Sequence, residues 1–124
     1  MDTRRPLSLK SYALLALTMA AVAQSAWSAD PIRTSPDRIS ILEAGWGEDT
    51  VSVQLLGRQI VNPAGCTHPE AGYVTSPSDR GRTLYQDILR DAFWHNYPVE
   101  LLISGTPDDC PFSKPRIISV TIRK

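Results

Sequence analysis

The sequence predicts a mainly β fold with a single helix, an α+β domain. Three observations carry that prediction. Several short runs alternate apolar and polar residues with a period of two, as half-buried strands do. One longer run repeats its apolar residues at helical spacing. Two cysteines, Cys66 and Cys110, are the only ones in 124 residues, an even count that suits one bridge. The chain is one small domain in length, and its 42% hydrophobic and 21% charged residues exclude collagen-like, coiled-coil and bulk-disordered classes.

The elements can be justified in order. Residues 29–37 hold Pro31 and Pro36 and no apolar periodicity, which reads as a flexible leader before a single domain over 38–124. Arg38 to Ala44 alternates through Ile39 and Ile41 as a strand. Gly45 to Asp49 is turn material. Thr50 to Leu56 sets Val51, Val53 and Leu55 against Thr50, Ser52 and Gln54, so these two runs predict an antiparallel hairpin. Gln59-Ile60-Val61 is a short β-prone piece before the Asn62-Pro63 turn. Ala71 to Ser76 centres a third strand on Tyr73 and Val74.

Ser78 is a good N-cap, and Leu84, Tyr85, Ile88, Leu89, Ala92 and Phe93 then form one apolar stripe. Asn96 suits a left-handed helix end, and Pro98 forbids continuation, so the helix runs from about Asp79 to His95. Pro98 to Ser104 is a strand with Val99, Leu101 and Ile103 on one face. Gly105 to Pro115 is a loop, and Arg116 to Arg123 closes the chain as a strand with Ile118, Val120 and Ile122 on one face. Five strands with a helix between the third and fourth is the order of a small OB-like barrel, which is the predicted architecture. An α+β sandwich with one helix on an antiparallel sheet has the same elements.

Residues 1–28 differ from the rest. Arg4, Arg5 and Lys10 precede the apolar run Tyr12 to Ala23, and Ala26-Trp27-Ser28 places small residues for cleavage after Ser28. This is the layout of a secretory signal peptide, with Ala23-Gln24-Ser25 as a second cleavage candidate. The apolar run is shorter than the about 20 residues a membrane-spanning helix takes. Thr3-Arg4-Arg5 hints at a twin-arginine signal, but Pro6 follows directly. The segment carries three of the thirteen basic and one of the thirteen acidic residues, so ten face twelve in the remainder and its net charge is −2. The expected location is the periplasm or the exterior, with a mature form not embedded in a membrane. An oxidising compartment makes Cys66–Cys110 a structural disulfide, worth about 4 kcal/mol in the chain-entropy model.

Chemical constellations are sparse. His68 and His95 are the only histidines, and with Cys66, Glu70, Asp108 and Asp109 they match no metal-ligand spacing. His95 sits where a helix end favours an imidazolium. No G-x-S-x-G elbow is present, and Asp108-Asp109 reads as a solvated turn rather than an acid–base pair. No phosphate loop is present, and the basic residues are dispersed among acids, which argues against nucleic acid. No catalytic residue, metal or cofactor is expected. Trp46, in a turn, and Trp94 and Tyr97, at the helix end, are the candidates for contact with a partner, since exposed aromatics meet sugars and proteins.

Cys66, the Tyr73-Val74 strand, the helix from Leu84-Tyr85 to Ala92, Pro98-Val99, Cys110 and the closing Ile-rich strand together resemble two groups. One is a set of small exported bacterial proteins of unknown function. The other, more remote, is the B subunit of subtilase-type AB5 cytotoxins. The resemblance spans Cys66 to Arg123. It implies an OB-like, disulfide-bearing fold and, through the second group, a glycan-binding homo-oligomer. No sugar-binding residue carries over to a position of this chain. The expected function is that of an exported, non-enzymatic binding module with a protein or glycan partner. The alternatives are a B-subunit-like oligomer, told apart by sizing and a glycan array, and a small periplasmic enzyme, told apart by a polar cluster in a pocket.

Overall fold

The computed structural model describes residues 29–45 and 47–124. The signal-peptide reading, its cleavage site and Trp46 therefore lie outside the described residues. Among the described residues the strands are β1 (Ile32–Arg33), β2 (Ile39–Ala44), β3 (Val51–Leu55), β4 (Tyr73–Val74), β5 (Val99–Ile103) and β6 (Ile117–Ile122), with one α-helix, α1 (Arg82–His95), between β4 and β5. The fold is mixed α+β. Two three-stranded antiparallel sheets form, ordered β1-β5-β6 and β2-β3-β4. The five strands expected are thus six, and their ladders do not close into one barrel. Two isolated bridges connect the sheets, Asp37 with Val99 (antiparallel) and Val74 with Arg116 (parallel).

The sixth strand lies in the segment expected to be a leader. Ile32 pairs with Ile103 and Arg33 with Leu102. Thr34 continues the contact, donating its N–H to the Leu101 carbonyl at 2.8 Å and accepting the Leu101 N–H on its hydroxyl at 2.9 Å. The two prolines flank this pairing without occupying a ladder position, so they do not prevent it.

Two alternations hold as read. Val51, Val53 and Leu55 of β3 and Val99, Leu101 and Ile103 of β5 all point into the core. They meet Ile39, Tyr73, Leu89, Ala92 and Ile117 there. The β2–β3 hairpin forms as expected.

Two alternations are broken by bulges. In β2 the register shifts between Ile39 and Ile41, so Ile39 is buried, Ile41 is 48% exposed, and Leu42 turns inward instead. In β6 Ile117 pairs with Ile103 while Ser119 pairs with Leu102. Ile117 is therefore fully buried and Val120 and Ile122 pack on the core, whereas Ile118 does not. An extra residue flips everything beyond it to the other face.

The helix begins three residues later than expected. Ser78 does not cap it; the N-cap is Gly81, with no side-chain cap. Asp79 takes the Gly81 N–H on its own carboxylate at 2.9 Å, a local turn that competes with helix. A side chain at Gly81 would collide with the Tyr85 hydroxyl. The end is as read: Asn96 is left-handed, and its N–H reaches the Ala92 and Phe93 carbonyls. The helix packs against β2 and β6, spanning both sheets. Its stripe is narrower than expected. Leu89 and Ala92 are fully buried and Phe93 packs at the side, but Leu84 is 62% exposed.

Cys66 and Cys110 form a disulfide, with Cα atoms 5.5 Å apart. It ties the loop after β3 to the loop after β5. No helix among the described residues is long and apolar enough to cross a membrane.

Candidate functional site

Among the described residues, the C-terminal turn of α1 carries the most exposed aromatic side chain, Trp94. Burying Leu89 and Ala92 fixes the rotation of the helix, and that rotation turns Trp94 away from the core, to 75% exposure. Phe93 meets it edge to face, centroids 5.5 Å apart. His95 stacks on Tyr97 at 5.6 Å and nearly parallel, while its Nδ1 contacts the Asp91 carbonyl at 2.8 Å. Arg38 donates from Nε to the Asn96 carbonyl at 3.2 Å, anchoring the helix end to the start of β2. Tyr97 packs against the core edge. Of the aromatics proposed from sequence, Trp94 and Tyr97 therefore share one end of α1, with Tyr97 as support and Trp94 as surface. At the other end of the helix, Asp49 receives Arg82 Nε at 3.1 Å and Gln86 donates to the Asp49 carbonyl.

A second feature is a groove of about 310 Å³ beside β3 and β4. Tyr73 is its floor. The phenol donates to the Gln59 carbonyl at 2.7 Å and accepts the Val61 N–H at 3.0 Å, which pins residues 59–61 over the sheet. Burial pushes the Tyr73 phenol above its ordinary value, partly offset by the Val61 N–H. Gln59 clasps Ser35 through both its amide atoms. Glu70 lies 3.1 Å from His68 Nδ1, and its carboxyl is held below the usual range by its own backbone N–H and then by His68. Arg58, Gln54 and Ile60 complete the lining.

The remaining polar side chains serve the frame. Asp109 receives both a Ser104 hydroxyl at 2.6 Å and Arg116 at 3.1 Å, and Arg116 also reaches Asp79 at 3.4 Å. Asp109 is thus half of a partly buried ion-pair knot joining the disulfide loop, the approach to α1 and the start of β6, not the solvated turn read from sequence. Lys114 is buried, with Nζ on the Ser52 hydroxyl at 3.0 Å. Sequence reasoning passed over Arg58, Arg116 and Lys114, because isolated cations carry no spacing signal. No group of three or more potential metal ligands gathers among the described residues.

No family model matches the chain, and no curated protein or solved structure matches it either.

Proposed function

We propose that this is an exported, non-enzymatic binding domain that meets its partner through the aromatic end of α1. The observation that carries the proposal is Trp94, three-quarters exposed at a helix end that is otherwise tightly capped and anchored. A large aromatic held in water by a rigid element offers contact area with little left to order on binding. A binding role is further supported by the histidines, which are engaged locally with Glu70 and with a helix carbonyl and tyrosine. Export is supported by the disulfide and by the layout of residues 1–28.

We also read the fold as OB-like. The run from Ile32 to Ala44 pairs with β5 at its start and with β3 at its end, as one bent strand shared by two sheets does. The parallel bridge from Val74 to Arg116 joins the remaining edges. The helix falls between the third and fourth strands if β1 and β2 are counted together.

A photoreactive phenylalanine analogue in place of Trp94, irradiated in the producing cells, tests the function. A discrete adduct is expected from position 94 and not from Thr83, an exposed control on the same helix. An adduct of twice the chain mass identifies a second copy, and any other mass a different partner. Absence of any adduct at position 94, or equal labelling at Thr83, overturns the proposal.

A further inference from the structure

We propose that the groove beside β3 and β4 binds a small zwitterion with an apolar body, the chemistry of a free apolar amino acid. This site lies apart from the Trp94 surface, and its test is independent of that reading. Arg58 and Glu70 line the same groove, yet no ion pair joins them. The Arg58 guanidinium makes no hydrogen bond or ion pair with any described residue. Two opposite charges held in one groove without meeting are matched by a ligand that carries both. The same groove is lined by Leu55 and Tyr73, each 2% exposed, and by Ile60, which is 62% exposed. That floor suits a hydrocarbon side chain. The volume of about 310 Å³ is at the small end of ligand sites and suits a single amino acid.

The backbone supports the same assignment. Arg58 is left-handed, with φ at 50°, a region that non-glycine residues seldom occupy. Its N–H is held by the Leu55 carbonyl at 3.1 Å, and the turn before it is held by Asp37, whose carboxylate accepts the Gly57 N–H at 2.7 Å and the Arg38 N–H at 2.8 Å. Backbone of this kind persists where surroundings over-determine it and concentrates at ligand clamps. A guanidinium grips a carboxylate through paired N–H donors. Glu70 has acceptor sites beyond the one that faces His68, and a carboxylate there receives an ammonium.

Titrations of the oxidised protein, followed by amide chemical shifts at neutral pH, test the inference with three probes. L-phenylalanine carries both charges, 3-phenylpropionate lacks the amine, and phenethylamine lacks the carboxylate. L-phenylalanine is expected to saturate a site whose largest shifts fall on Ile60 and Tyr73, with each truncated probe at least about tenfold weaker. Arg58→Gln should weaken L-phenylalanine about tenfold and leave phenethylamine unchanged. Glu70→Gln should weaken L-phenylalanine about tenfold and leave 3-phenylpropionate unchanged. Both side chains are exposed, so folding is not at risk, and unchanged spectra outside the groove verify it. Failure to saturate, equal affinity for all three probes, or wild-type affinity in either variant overturns the inference.

Discussion

Tyr73 shows how a single side chain joins core and surface. Its ring is buried among the sheet residues, while its hydroxyl satisfies a carbonyl and an N–H of a segment with no strand partner. Tyr73→Phe keeps the packing and removes both bonds. It should cost about 1–2 kcal/mol in urea melts, because the Val61 N–H and Gln59 carbonyl lose their partner. The pH dependence has a definite sign. The fold favours the neutral phenol and raises its pKa above the ordinary value of about 10. The phenol's contribution is therefore whole below about pH 10 and is lost as pH climbs through the higher folded value. Wild-type stability should fall more steeply above that point than the stability of Tyr73→Phe. Parallel curves would remove the phenol from the account.

The helix and its neighbouring strands show what a sequence makes legible at the scale of elements. Leu89 lies at the centre of the stripe and is fully buried, so Leu89→Ala should cost about 2–5 kcal/mol through lost transfer energy and a residual cavity. Asp87 faces solvent and, among the described residues, pairs only with Arg90 one turn on, so Asp87→Ala should change stability by no more than about 0.5 kcal/mol. Equal losses in two urea melts would mean that α1 is not docked. The helix end was legible because Asn96 and Pro98 act locally, within the residues that compose it. The helix start was not, because Asp79 divides its carboxylate between the Gly81 N–H and Arg116, a residue 37 positions away. Strand existence was legible from alternation, but the inward set was not wherever a bulge intervened, since Ser40 and Ile118 look like any other strand residues. The same limit applies to the candidate site. Trp94 was legible as an aromatic beside the stripe, whereas the groove is assembled from residues 54 to 73, whose proximity depends on Tyr73 holding a loop in place.

At the scale of the molecule, the disulfide and the N-terminal pairing set how the chain holds together. Cys66 and Cys110 span 44 positions, so their bridge restricts the unfolded chain strongly; Cys66→Ser should cost about 2–5 kcal/mol. One intact-mass measurement on protein recovered from the exported fraction checks both bridge and processing. The expected mass is that of a chain beginning at Ala29, lighter by two hydrogens than its fully reduced form. A chain that retains Met1, or one carrying free thiols, contradicts the expectation. The pairing of β1 with β5 has a further consequence, in time rather than energy. Ile32 and Arg33, near the start of the described fold, find their partners only in Leu102 and Ile103, about 70 positions on. The first strand therefore waits unpaired while β5 is still being synthesised, even though the β2–β3 hairpin can form early. If the chain is exported as proposed, drawn through a narrow pore before it folds, it gains from such a delay. Its two sheets begin to lock together only once β5, which opens the last fifth of the sequence, is present for the first strand to meet.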